Sequence, residues 1–131
     1  MTVSYSATTR AIRVSVAPAY DESRSNSETS SYVYVYTITI ENEGKETVQL
    51  ISRHWIIQDG FGRMEHVVGP GVVGQQPVLP PGESFEYSSF CPLATPTGSM
   101  KGTYKMKVED SGEMFDVSIP EFPLVHQSLV N

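Results

Sequence analysis

Apolar and polar residues alternate with a period of two along most of the chain. No segment shows the i, i+3, i+4, i+7 spacing of an amphipathic helix. The clearest strand is Tyr32–Ile40, whose aromatic and β-branched residues on both faces favour a central position in a sheet. The other predicted strands are Ile12–Val16, Thr47–Gln58, Arg63–Val68, Phe85–Tyr87, Met100–Val108 and Phe115–Ile119.

About seven short strands joined by glycine- and proline-rich turns predict an all-β, immunoglobulin-like or fibronectin type III-like β-sandwich. Residues 1–131 fit a single domain, since no segment offers a second core. Pro18 is expected to end the first strand. Residues 1–8 are expected to form a flexible tail and residues 20–31 a mobile loop, because the loop has almost nothing apolar to bury.

The apolar pattern also fixes the register of the last predicted hairpin. A two-residue loop at 110–111 places Met106 opposite Phe115 and Tyr104 opposite Val117. A slip of one residue would instead set a lysine against Phe115. The three lysines of this hairpin are then expected to face solvent.

Charge and composition narrow the classes of function. Nine basic against fifteen acidic residues give a net charge of −6, which disfavours nucleic acids and acidic membrane surfaces as partners. A single cysteine excludes an internal disulfide and a Cys-pair zinc site. The sequence has no apolar run of membrane-spanning length and no basic-then-apolar leader, so we expect a cytoplasmic protein without membrane insertion.

Gly69, Gly71 and Gly74 match the letters of the dinucleotide-binding motif G-x-G-x-x-G. That motif works because a helix follows it, with its free N–H groups facing the pyrophosphate. Three prolines within residues 77–81 exclude such a helix, so no nucleotide-binding fold is predicted. Two interpretations remain: a connection across the end of the sandwich, which is favoured, or an anion-binding nest of backbone amides that includes Gln75.

Candidate metal ligands are few, and the two histidines of interest depend on strand register. If Thr47–Gln58 and Arg63–Val68 pair with residue numbers that sum to 120, His54 lies directly opposite His66. If the numbers sum to 121, the two histidines lie on opposite faces. Even the first register supplies two ligands where a catalytic zinc needs three, so no metal site is predicted.

The residues for catalysis are also lacking. There is no G-x-S-x-G nucleophile motif. Cys91, expected in a loop without an orienting partner, is interpreted as a small buried hydrophobe. Paired carboxylates lie in solvated turns, where nothing would separate their pKa values. We therefore expect no enzyme activity, no catalytic residue and no cofactor.

The segment Arg53-His54-Trp55 holds the candidate recognition groups. Trp55 is the only tryptophan and is predicted to anchor the core between the two sheets. Arg53 and His54 are the residues expected to form an exposed surface for a protein partner.

A resemblance to a known family is carried by a series of short segments: Val48-Gln49-Leu50, Arg53-His54-Trp55, 69–77, Pro81-Gly82, Phe85-x-Tyr87, 95–104 and 115–122. Each segment is weak alone. Together, from about Val14 onward, they closely resemble the ApaG family. The chain departs from the family pattern at Ser89-Phe90-Cys91-Pro92, where Ser-Gly is expected.

The resemblance implies a fibronectin-like β-sandwich in a bacterial cytoplasmic protein with a genetic link to cobalt and magnesium efflux. Similar domains in some eukaryotic proteins, including an F-box protein and a polymerase-associated protein, are thought to serve protein interaction, and the family has no established catalytic residues. The expected function is a non-catalytic module that binds a protein partner and acts on Co²⁺ and Mg²⁺ homeostasis indirectly. The alternative is a sensor of pyrophosphate or nucleotide-type anions at Gly69–Pro77.

Overall fold

The computed structural model describes residues 3–126. Strands account for most of them, and the helical elements of this range are two 3₁₀ turns, Glu22–Arg24 and Ser27–Thr29. The strands are β1 (Tyr5–Thr9), β2 (Ile12–Tyr20), β3 (Tyr32–Asn42), β4 (Val48–Asp59), β5 (Met64–Pro70), β6 (Val78–Leu79), β7 (Ser84–Leu93), β8 (Gly98–Val108) and β9 (Met114–Leu124).

The strands form two antiparallel sheets packed face to face. The first sheet has the order β1-β2-β3-β7. The second has the order β5-β4-β8-β9, with the short β6 also paired to β4. This confirms the predicted β-sandwich. The described residues contain two strands more than the seven expected, because β1 and β6 carry little apolar alternation of their own.

Alternating residues of the inner faces form the core. Strand β3 lies between β2 and β7, as its two apolar faces predicted. Trp55 is 3 % exposed, which confirms its predicted place in the core. Its ring packs edge-on against Tyr36 of the facing sheet, with centroids 5.3 Å apart, and against Phe122 at 6.1 Å.

The register of the last hairpin is confirmed. Tyr104 pairs with Val117 and Met106 with Phe115. The apolar side chains on the inner face therefore decide this pairing, as expected where one face of a sheet is buried.

Two expectations about the N-terminal part are wrong. Residues 5–8 of the expected flexible tail lie in β1, which pairs with β2 through a tight turn at Arg10 and Ala11, both with positive φ (48° and 64°). Residues 1–2 of that tail lie outside the described residues. Strand β2 also continues through Pro18, which is possible because β1 begins at Tyr5, opposite Val16, and does not reach the edge of β2 at Pro18.

The polar stretch 20–31 contains several local hydrogen bonds. The Asp21 carboxylate accepts hydrogen bonds from Ser23 Oγ (2.7 Å) and Arg24 Nε (2.6 Å). The Ser25 hydroxyl donates to the Asp21 carbonyl and accepts from the Val33 amide, at 2.7 and 2.8 Å. The segment is thus a loop with short 3₁₀ turns rather than a featureless connection, and its mobility stays a prediction.

Candidate functional site

The two long sides of the sandwich differ in how their edge strands meet. On one side β9 is tied to β1, since the Ser118 amide donates to Thr9 Oγ1 at 3.2 Å, and Arg10 in the turn after β1 pairs with Glu113 at 2.9 Å. On the opposite side β5 and β7 are the edge strands. Within residues 3–126, no hydrogen bond or ion pair joins β5 to β7. We call this second side the open side.

A cleft of about 250 Å³ enters the open side between the two sheets. Its wall combines aromatic rings with one cation and one carboxylate, and its lining includes Tyr36, Arg53, Trp55, Glu65, Phe90 and Cys91. A second depression, of about 320 Å³, continues from it toward the turn at Asp59 and Arg63. The two share Ile57, Glu65 and Pro92, so they form one groove between β5 and β7.

Large apolar side chains are exposed along the open side. Met64 and Val68 are 54 % and 70 % exposed on β5, and Phe61 is 77 % exposed in the turn before it. Phe90 on β7 is 54 % exposed, and the Arg24 guanidinium lies 5.0 Å from its ring centroid. Isolated exposed apolar residues are ordinary on protein surfaces, whereas several along one edge indicate a contact surface.

The two edges of the open side are not equally suited to pair with another strand. Strand β7 contains Pro92, which has no N–H to offer, and Arg24 partly covers it at Phe90. Among the strands of residues 3–126, β5 pairs with β4 alone, and its single proline, Pro70, is its last residue. The free edge of β5 therefore presents a nearly continuous row of backbone donors and acceptors.

Arg53 and His54 do not form the common exposed surface that the sequence predicted, because successive residues of β4 face opposite sides of the sheet. Arg53 points inward with Trp55, where it lines the cleft, and His54 lies on the outer face. Their separate roles in binding stay predictions.

Arg53 holds the glycine segment to the sheet. Its Nη1 donates to the carbonyls of Pro70 and Gly71, both at 2.9 Å. Gly69 is paired with Arg53, and a Cβ at Gly69 would lie 3.2 Å from both terminal guanidinium nitrogens. A side chain at position 69 would crowd the guanidinium, so this contact favours glycine there. The contact joins the Arg-His-Trp segment to the glycine motif.

No helix follows Gly74 in the described part of the chain, as the prolines predicted. Three amides of the alternative interpretation, the anion nest, are used within the chain: Gly71 N–H donates to the Ile51 carbonyl, and Val72 and Gln75 donate to each other's carbonyls, at 2.8–2.9 Å. The turn between them has positive φ at Val73 (43°) and Gly74 (80°). These three donors are therefore not available to an anion.

The histidine pair adopts neither register considered from the sequence. Strands β4 and β5 pair with residue numbers that sum to 122, so His54 lies opposite Val68 and Ile56 opposite His66. Both rings are on the outer face as diagonal neighbours, with His54 Nε2 and His66 Nδ1 2.9 Å apart. The length of the turn between the two strands sets this register, which the pattern of apolar residues does not predict.

Cys91 lies in β7 rather than in the expected loop, and its side chain faces the core. Burial raises the pKa of this thiol to about 11, which keeps it protonated near neutral pH.

The core also holds two buried tyrosines, Tyr87 and Tyr104. Their hydroxyls are hydrogen-bonded at 2.6 Å, and burial raises the pKa of both phenols. Among residues 3–126, no group of three or more His, Cys, Asp or Glu side chains lies close enough to hold a metal ion.

Arg53→Ala is expected to lower the free energy of unfolding by about 1.5–3 kcal/mol, because two carbonyls lose a charged donor. Amide exchange at Val72 and Gln75 should also become faster as the turn loosens. Urea denaturation and hydrogen exchange measure the two effects. Arg13→Ala, at an exposed position of β2, is the control and should cost less than about 0.5 kcal/mol. Equal costs for the two variants would contradict the assigned role of Arg53.

Sequence reasoning did not select Phe61, Met64 and Val68, which define the exposed apolar edge. Their signal is weak, since Met64 stands between two charged residues but Val68 stands between Val67 and Gly69. The outer position of that strand follows from the sheet order, which the pattern of one strand does not contain.

Comparison with known proteins places these features in a family. Residues 22–108 match the family model described as the ApaG domain. The chain is 52 % identical to Protein ApaG of Paramagnetospirillum magneticum and 56 % identical to that of Rhodospirillum centenum, each over 92 % of both chains. It also resembles the crystal structure of an ApaA protein from Bordetella pertussis, with 50 % identity and a TM-score of 0.85 over 88 % of this chain and 94 % of that one.

No helix in the described part of the chain is long and apolar enough to cross a membrane.

Proposed function

This chain belongs to the ApaG domain family, and from that premise we propose that it is a non-catalytic protein-binding module of the cytoplasm. It takes up an extended segment of a partner protein, which pairs with the free edge of β5 as an added strand. The observation that carries the proposal is the open side, where the outer edge of β5 has no neighbouring strand among the described residues and is flanked by exposed apolar side chains.

Backbone pairing at β5 supplies the main attraction. A seven-residue strand is roughly 23 Å long, which matches a partner segment of about five to seven residues. Backbone hydrogen bonds select a partner segment for its extended conformation and hardly for its sequence. Contacts between side chains must therefore supply the selectivity for one partner sequence.

Side chains of such a segment would alternate between two environments. On the outer face they meet Met64 and Val68, and on the inner face they reach the cleft beside Trp55 and Tyr36. Arg53 and Glu65 give this cleft one charge of each sign, and the two charges offset each other. The cleft therefore favours an uncharged side chain. We therefore assign the partner segment an apolar or aromatic side chain at the position that faces the cleft.

In this proposal, the genetic link of the family to cobalt and magnesium efflux does not require the domain itself to bind either ion. Beside its backbone groups and apolar side chains, the docking surface offers one carboxylate, that of Glu65, whereas Mg²⁺ needs several oxygen ligands. An effect on divalent-cation homeostasis is therefore assigned to the bound partner. The alternative function, a sensor of phosphate-bearing anions at Gly69–Pro77, has less support because three amides of that segment are used within the fold.

Selection from a random peptide library tests the proposal without a known partner. We expect the wild-type protein to enrich peptides that share an apolar residue within an extended stretch. Fluorescence anisotropy then gives the dissociation constant of each enriched peptide. Met64→Glu and Val68→Glu should each raise that constant by about tenfold or more, since a carboxylate replaces an apolar contact.

Met114→Glu is the matched control, because Met114 is also an exposed methionine at the first position of an edge strand. It lies on the side closed by β1 and β9, and it should change the dissociation constant by less than about twofold. Two results would overturn the proposal: no peptide enriched above background, or enriched peptides that respond equally to Met64→Glu and Met114→Glu.

A further inference from the structure

His54 and His66 form a close pair on the outer face of the second sheet. The ring nitrogens Nε2 of His54 and Nδ1 of His66 are 2.9 Å apart, and the ring centroids are 5.1 Å apart. The two histidines stand on the paired strands β4 and β5, so neither Cα position lies in a loop. His54 is half-buried and His66 is exposed, which leaves the pair accessible from solvent.

The geometry points to a two-histidine site for a transition-metal ion that favours right-angle coordination, of the Cu²⁺ or Ni²⁺ class. At metal–nitrogen distances of about 2.0–2.1 Å, two nitrogens bound at right angles are about 2.9 Å apart, whereas tetrahedral ligands are about 3.3 Å apart. The observed separation of 2.9 Å therefore fits a square-planar or octahedral ion without movement of the strands.

Binding needs no net loss of protons from the neutral pair. One of the two facing nitrogens carries the hydrogen of the shared hydrogen bond. The ion replaces that hydrogen bond and lies to one side of the line joining the two nitrogens, about 2.0–2.1 Å from each. The hydrogen moves to the far nitrogen of the same ring, so that both facing lone pairs point at the metal. Water molecules complete the coordination sphere, since Ni²⁺ and Cu²⁺ accept oxygen as well as imidazole ligands.

The neighbouring charges permit a cation at this position. Lys105, on the adjacent strand β8, is paired with Asp116 at 3.0 Å, which offsets its charge. The residue opposite His54 on β8 is the uncharged Thr103. The other diagonal neighbour of His54 on β8 is the cation Lys101, and the carboxylate of Glu121 lines the same depression as both. The site goes beyond the proposed docking function, which needs no metal ion.

Calorimetric titration of the untagged protein with nickel chloride, in the absence of any peptide, tests the site. We expect one Ni²⁺ to bind per chain. His54→Gln and His66→Gln should each weaken binding by about tenfold or more, because each removes one of two protein ligands. His126→Gln alters the remaining histidine of the chain as the matched control and should change the affinity by less than about twofold.

Electron paramagnetic resonance of the Cu²⁺-loaded protein provides a readout that a purely structural histidine pair would not move. The wild type should show coupling to two imidazole nitrogens and each single variant coupling to one. Retained circular dichroism of the variants separates ligand loss from unfolding. The inference is overturned if the wild type binds no Ni²⁺ at millimolar concentration, or if His54→Gln and His66→Gln both bind as tightly as the wild type.

Discussion

Trp55→Ala is expected to lower the free energy of unfolding by about 3–5 kcal/mol, the usual cost of removing a large buried aromatic side chain. The indole is 3 % exposed and packs edge-on against rings from both sheets, Tyr36 and Phe122. Its loss leaves a cavity at the base of the cleft that the two paired sheets cannot collapse to fill. Guanidinium denaturation followed by circular dichroism measures the change.

Phe61→Ala is the control for this prediction, because Phe61 is an aromatic residue that is 77 % exposed. Its removal should cost less than about 0.5 kcal/mol. A loss below about 1.5 kcal/mol for Trp55→Ala would contradict the role of Trp55 as the anchor between the sheets.

Gly102→Ala is expected to cost about 2–4 kcal/mol for the opposite reason, too little space. Gly102 lies opposite Trp55 in the pairing of β8 with β4. A Cβ at Gly102 would overlap the carbonyl oxygen of His54 and lie 3.3 Å from the Trp55 Cα. Backbone atoms of a paired strand cannot turn aside as a flexible side chain can, so the ladder between β4 and β8 must open locally. Denaturation and amide exchange along β4 report the effect.

Gly74→Ala separates crowding from backbone strain. A Cβ there would meet nothing within 4 Å, but φ is +80°, so the expected cost is about 1 kcal/mol from conformation alone. If Gly102→Ala costs no more than Gly74→Ala, the close approach of β8 to β4 does not limit this position.

Strands with one buried face were predictable, because a buried face requires an apolar residue at every second position of the sequence. Tyr32–Ile40 predicted a central strand, and the pairing of Tyr104 with Val117 followed from apolar matching. Strand β1 has no such pattern, since its side chains are at most half-buried and its turn uses positive φ at Arg10 and Ala11, which are not glycine. Pairing with β2, rather than local propensity, stabilises β1.

The candidate site was less predictable because it depends on relations between strands. Arg53 and His54 were predicted to belong to a surface for a protein partner, but alternation along β4 places them on opposite faces of the sheet. The contact of His54 with His66 depends on the register of β4 and β5, which a turn of a particular length sets. The open side emerges only when the sheet order leaves β5 and β7 as neighbouring edges.

Hydrogen exchange of the β5 amides, with and without a peptide obtained by selection, tests the central claim most directly. If the partner segment adds a strand to this edge, amides of Met64–Gly69 that are not bonded to β4 should exchange more slowly in the complex, since they gain acceptors. Amides of β1 and β9, at the closed side, should be unchanged. Slower exchange at β1 or β9, or unchanged exchange throughout β5 at saturating peptide, would contradict strand addition at the open side.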